Sequence, residues 1–312
     1  MSTIKYANAV AAVKAMENTL LTRNDMEQFI NAASASEIDS LISAKKGGNN
    51  ISAESVWEMI HDYAPDSREL EILLYKNDFH NLKAALKSII SGREPEKYYI
   101  RPTNLDLNHL AQSVSAKDYE NLPDFIRNTA EKAYDLIVET SDGQLADSFI
   151  DSATLNAMQK SSADFGGDFM QKYAQIITVC ADIKTAYRLS RMKKQRNFIE
   201  NAICGSTELD KDSLVRETLN GTESLLNFLE STPYSEAAKL LRDSPAQFEK
   251  WCDDAVMELA ETARMKSFGT EPLIAYYIAA EAEQKNLRII TVCREFGADR
   301  ETITERMRKL YV

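Results

Sequence analysis

The chain has 312 residues and a formal net charge of −11, with only 10 glycines and 7 prolines. That length can bury a sizeable core in one large domain or in two to three smaller ones, and so few backbone breakers exclude an architecture built on hairpins or βαβ turns. The negative field repels a nucleic-acid duplex or an anionic membrane surface, so proteins are the favoured partners.

Taken in order, the elements read as helices. Ala9, Val10, Val13, Met16, Leu20 and Leu21 recur at helical spacing and predict a helix over 4–21. Short helical pieces follow to Ile42, and K-K-G-G-N-N at 45–50 reads as a loop. Ser52 opens another helix that Pro65 stops, because the residue before proline is pushed out of helical angles. Asp66 is expected to cap a long helix with a stripe of Leu70, Leu73, Leu74, Leu82, Leu86 and Ile89, closed by Gly92. The polar, proline-bearing stretch 92–103 reads as a surface linker.

Beyond it, one helix is marked by Phe125, Ala133 and Ile137, and another runs from Ala146 to Ala163. A very long one is predicted from Phe169 to about Ile203. Ser244-Pro245 starts a further helix. Thr270 and Pro272 mark the start of the next, which Gly297 ends. Asp299 is expected to cap a last helix reaching Tyr311.

No hydrophobic run approaches the roughly 18–20 residues that cross a bilayer. The N-terminal stretch lacks the basic region and apolar core of a signal peptide, which predicts a cytoplasmic protein. Cys180, Cys204, Cys252 and Cys293 are scattered and form no C-x-x-C, so they read as thiols of a reducing compartment.

Few patterns carry chemistry. Glu58-x-x-His61 and Asp106-x-x-His109 imitate half-sites of di-iron bundles, but both lie on short segments beside loops. Asp253-Asp254 resembles the start of a D-D-x-x-D motif, with Met257 in place of the third acid. There is no P-loop, no G-x-G-x-x-G and no G-x-S-x-G. The expectation is therefore no catalytic residue, no metal, no cofactor and no direct nucleotide site. The run 184–196 holds six basic residues and no acid. Lys184, Arg188 and Arg191 share one helix face there; intramolecular pairing, an acidic protein partner and RNA are the readings it permits. The C-terminal Arg300, Thr302 and Arg306 imitate a helix-turn-helix, although the chain is too acidic to favour DNA.

The most informative feature is a loose repeat. Asp78-Phe-His-Asn81-Leu-Lys83, Asp182-Ile-Lys184-Thr-Ala-Tyr-Arg188 and Glu283-Gln-Lys-Asn286-Leu-Arg288 recur about every 100 residues. Acid and amide are three apart, on one helix face. Asn is a poor helix former, so its recurrence points to a specific bond from its amide. Three similar helical lobes fit this rhythm: 1–97, 98–205 and 206–312. Asp78, Asn81, Lys83, Asp182, Lys184, Arg188, Arg191, Glu283, Asn286 and Arg288 are then candidates for pinning lobes or touching partners. Asn286 and Arg288 are expected to bond helix ends or nearby acids.

Y-A-N-A-V-A-A-V-K-A-M-E-N-T-L-L at 6–21, Leu73-Leu-Tyr75 with Asp78 and Asn81-Leu82-Lys83, and E-P-L-I-A-Y-Y-I-A-A-E-A-E-Q-K-N-L-R-I-I followed by I-T-E-R-M-R-K-L-Y-V carry a resemblance. In order and spacing they resemble the C subunit of V/A-type rotary ATPases, a relative of the d subunit of vacuolar ATPases. The second copy departs from the pattern, with Thr185-Ala186 where Asn and an aliphatic residue are expected. The resemblance implies an all-α fold of three pseudo-symmetric helical lobes forming a funnel, and a non-catalytic rotor part. It further implies contacts with central stalk subunits D and F and with the membrane proteolipid ring, and torque transmission during proton or sodium transport. Such a part has no transmembrane segment of its own and lies on the cytoplasmic side, peripherally attached. The alternative is a soluble all-helical protein-binding scaffold unrelated to a rotary motor.

Overall fold

A computed structural model describes residues 3–47 and 52–312. Among them every regular element is an α- or 3-10 helix. The all-α expectation holds, and no helix is long and apolar enough to cross a membrane among the described residues. The distal part of the expected 45–50 loop lies outside them; Lys46 and Gly47 form a turn before it.

The chain divides into two compact units, one made of residues 1–67 with 240–312 and one of residues 68–239. The first is organised around the Glu271–Glu295 helix. From Pro272 to Ala280 every residue of that helix is buried, so it is apolar all round where it enters the core. Further along, burial narrows to Glu283, Asn286, Ile290 and Cys293, one face of a now amphipathic helix. The Pro245–Glu261 helix packs along it, as do Ala7–Met16 and Ala53–Tyr63. Trp57 meets Tyr277 edge to face with ring centroids 5.7 Å apart, the geometry the ring quadrupoles favour. At the far end Leu21, Met26, Phe29 and Ile38 close over Ile290 and Ile303.

The second unit is built on the Gly143–Phe165 helix, which packs against Asp124–Thr140, Asp168–Met192, Arg196–Ala202 and Tyr75–Ser91. A helix with so many neighbours needs small side chains. Ser148, Ser152, Thr154, Ser161 and Ser162 are buried on it. Their hydroxyls bond inside the fold: Thr154 donates to the Ile150 carbonyl at 2.8 Å and Ser161 pairs with Tyr75 at 3.0 Å. The Tyr75 ring stacks on Phe125 at 4.2 Å.

Several boundaries differ from those read in the sequence. The long helix expected from Asp66 begins as Arg68–Glu71, tightens into a 3-10 turn at Ile72–Leu74, and runs as Tyr75–Ser91. Gly92 ends it in the left-handed region, as expected. The helix expected to reach Ile203 stops at Met192, because Lys193 adopts φ 51°, and resumes as Arg196–Ala202. The last helix covers Arg300–Arg306, with Asp299 accepting from the Thr302 amide, and residues 307–312 are not helical. Thr270 stands at the start of its helix but its side chain makes no cap bond. At the C-terminus tertiary bonds from Asn286, Asp253 and Asp254 to residues 308–309 override helix propensity. The final stretch leaves the helix to lie along its neighbour.

Candidate functional site

The three repeated acids are buried: Asp78, Asp182 and Glu283. An unpaired carboxylate in such a place is costly, so the donors around each one say what it is for.

Asp78 receives the Thr103 hydroxyl at 2.5 Å, the Asn104 amide N–H at 2.8 Å and the Asn104 side-chain amide at 2.7 Å. One turn along, Asn81 forms a two-pronged bond with a single residue. Its Nδ2 donates to the Ile100 carbonyl at 3.0 Å and its Oδ1 accepts the Ile100 N–H at 2.8 Å. Asn77 adds a bond to the Pro102 carbonyl at 2.8 Å. The stretch 98–104 is thus stapled along the Tyr75–Ser91 helix. The segment read as a surface linker is a fastened strap, opened by a 3-10 turn at Pro95–Tyr98.

Asp182 repeats the acid half. Its two oxygens accept the Cys204 N–H at 2.9 Å and the Gly205 N–H at 2.7 Å. Two successive amides converge on one carboxylate because Gly205 sits at φ +82°, and a Cβ there would meet Lys211 Cβ at 2.6 Å. Gln159 supports the same turn by donating to the Gly205 carbonyl at 3.1 Å. Thr185 stands where the amide would be, so the fork is missing from this copy.

In the third copy the fork is intact: Asn286 donates to the Arg308 carbonyl at 3.0 Å and accepts the Arg308 N–H at 2.7 Å. The acid turns elsewhere. Glu283 accepts the Leu21 N–H at 2.7 Å and forms a buried ion pair with Lys46. It therefore joins the last long helix to the beginning of the chain. Asp253 and Asp254 complete the arrangement. Asp253 takes the Arg308 guanidinium at 2.7 Å and Asp254 takes the Lys309 N–H at 2.7 Å. The pair that imitated a metal motif holds the C-terminal strap.

Burial pushes Asp78 and Asp182 up to about 6, outweighing the hydrogen bonds that pull each back down. Cys204, beside Asp182, is pushed up to about 12 by burial and by that carboxylate, which makes it a poor nucleophile. With their oxygens engaged by donors, the three acids serve to hold backbone. Among the described residues no three His, Cys, Asp or Glu side chains gather as a metal set.

The other candidates separate from this core. Lys83 pairs with Asp151 at the surface. Lys184 and Arg188 are exposed, and Arg191 is exposed with its guanidinium 5.8 Å from the Tyr187 ring centre. Arg288 is exposed and makes no hydrogen bond or ion pair within the described residues, so the bond expected of it is absent while that of Asn286 is present. Reading the sequence missed Thr103, Asn104, Lys46, Arg308 and the Asp253-Asp254 pair. Only the C-terminal E-R-M-R-K-L-Y-V pattern hinted that Arg308 mattered.

The ATP synthase (C/AC39) subunit family model matches residues 52–306. The C subunit of the V-type sodium ATPase of Enterococcus hirae is 23% identical over 327 aligned residues, covering 99% of each chain. The C subunit of the V-type ATP synthase of Thermus thermophilus is 22% identical over 247 residues, covering 77% of this chain and 74% of its own. With most of its length matched, including the helices that carry all three buried acids, the chain belongs to the ATP synthase (C/AC39) subunit family.

Proposed function

We propose that the chain is a non-catalytic rotor subunit of a V/A-type ATPase, joining the central stalk subunits D and F to the membrane proteolipid ring. The observation that carries this reading is the end-to-end similarity to the C subunit of a V-type sodium ATPase. In this role the protein lies on the cytoplasmic side, attached to the membrane through the complex. It passes torque while protons or sodium ions cross elsewhere.

The internal build supports a mechanical part. Helices of 25 residues at Asp168–Met192 and Glu271–Glu295 are each about 37 Å long. Two straps are fastened to long helices by two-pronged amide bonds, and such bonds resist sliding because both the N–H and the C=O of one residue must break together. The recurrence of the buried acid supports three pseudo-symmetric lobes, 1–97, 98–205 and 206–312, arranged as a funnel. Arg188, Arg191 and Arg288, exposed and without a carboxylate partner among the described residues, are the side chains we assign to partner contact.

Co-purification with separately produced stalk subunits D and F tests the reading. Retention of the stalk pair, reduced by Arg188→Glu with Arg191→Glu, is expected. An inability to bind either the stalk pair or the proteolipid ring overturns it.

A further inference from the structure

A groove of about 950 Å³ runs along one side of the Tyr75–Ser91 helix. Its floor is a continuous helical stripe of His80, Lys83, Ala84, Lys87, Ser88 and Ser91. These positions follow one face over three turns, about 16 Å. The facing wall is the end of the Asp124–Thr140 helix and the start of the Gly143–Phe165 helix, with Ile137, Val138 and Asp147. The lips are apolar and open to solvent: Val138 is 61% exposed and Tyr98 is 48% exposed.

The lining carries Lys83, Lys87 and Arg93 against the single carboxylate of Asp147. That is a local inversion in a chain of net charge −11. Arg93 reaches only the Tyr98 hydroxyl, at 3.5 Å, and no carboxylate among the described residues. Lys87 pairs with Asp147 at 2.6 Å with over half its side chain exposed, and Lys83 pairs with an Asp151 that is mostly exposed. Exposed pairs of this kind are weak, screened by water and salt, so exchanging a carboxylate of the chain for one from a partner costs little. The positive rim continues through Lys194, whose Nζ donates to Gln144 at 2.7 Å beside the Gly143 end of the groove.

We propose that this groove docks a short acidic amphipathic helix of a protein partner. Its apolar face rests on Ala84, Ile137 and Val138, and its carboxylates meet Lys87 and Arg93. The length fits: three turns of helix span about 16 Å, the run of the stripe from His80 to Ser91. This is helix-in-groove recognition, with charge setting the sign of the partner. The proposal goes beyond the rotor reading, and its test uses the isolated chain.

The probe is a dye-labelled, end-blocked peptide of about fourteen residues with glutamates at i, i+4 and i+7 beside a leucine–alanine stripe. Anisotropy titration of the full chain is expected to show binding that weakens as salt is raised. Binding should fall at least about tenfold with Lys87→Glu/Arg93→Glu and severalfold with Val138→Ser. Circular dichroism melts check that both variants fold. A sequence-scrambled peptide of the same composition and a lysine-for-glutamate version should bind at least about tenfold more weakly. The proposal is overturned if the scrambled peptide binds equally well, or if the charge-reversed protein binds as the parent does. Displacement of the peptide by dodecyl phosphate at equal or lower concentration also overturns it, because the groove is then a site for a small anionic amphiphile.

Discussion

Lys46 and Glu283 are each almost fully removed from solvent, with 4% of either side chain accessible. Breaking a buried pair by removing one charge typically costs about 3–5 kcal/mol, whereas removing both costs far less. Lys46→Met alone is therefore expected to lower unfolding free energy by about 3 kcal/mol or more. Adding Glu283→Gln, which keeps an oxygen for the Leu21 N–H, should restore much of it. Urea denaturation of the two single variants and the double checks this; additive losses would sink the assignment of a desolvated pair. Asp78 and Asp182 behave differently because burial raises them to about 6 from an ordinary 3.8. The folded state thus holds their protons more tightly than the unfolded chain. Their stabilising contribution is complete below about 3.8 and is lost as pH rises through about 6. Between about pH 5 and about pH 7.5 each should lose about 1 kcal/mol. Urea midpoints are expected to fall across that interval, with a shallower fall in Asp182→Asn. A midpoint that climbs instead would contradict the assigned shift.

At the scale of the element, the unit of construction is a long helix with a strap pinned along it. The Asn81–Ile100 and Asn286–Arg308 forks use the same two atoms to hold the N–H and the C=O of one residue in a non-helical strap. Neither strap has a sheet neighbour among the described residues, so the amide supplies the bonds that a strand would have received. Asn286→Ala removes both prongs and leaves the Arg308 N–H and C=O without that partner, at a cost of about 1–3 kcal/mol. The effect should appear as faster proteolysis within 300–312 and a lower melting midpoint. Asn81→Ala should act likewise on 98–104. Leaving protease sensitivity unchanged would show that the straps are held by other contacts. The copy at Asp182 reaches the same end without an amide, by bending the chain at Gly205 so that two N–H groups face one carboxylate.

At the scale of the whole molecule, the two compact units differ in connectivity. Residues 68–239 are continuous, whereas the other unit draws on both ends of the chain. The continuous unit has its own core around the Gly143–Phe165 helix, including the Tyr75–Phe125 stack. A fragment of residues 68–239 is expected to fold alone, with helical circular dichroism and one cooperative melt. A fragment of residues 1–67 should not, since Leu21 and Met26 lose Ile290 and Cys293, and Lys46 loses Glu283. A molten, non-cooperative 68–239 would contradict the division.

The class of fold is legible in local pattern alone. Apolar spacing, scarce glycine and proline, and local caps such as Ser52 and Asp299 are short-range signals, and helices form from short-range contacts. The sequence also marked the three acids and both asparagines, because a polar residue that recurs on the buried side of a helix is conspicuous. The partners of those residues were not legible. Asp78 meets Asn104 within the next segment, but Glu283 meets Leu21 across a separation of 262 residues. Nothing in local pattern marks a backbone N–H as the one that will be buried unpaired. Only tertiary packing decides which peptide groups lose water, and hence which acid or amide must satisfy them. The same packing decided against the helix expected at 307–312, since that stretch gains the Asn286 fork and the Asp253 and Asp254 bonds by leaving helical form.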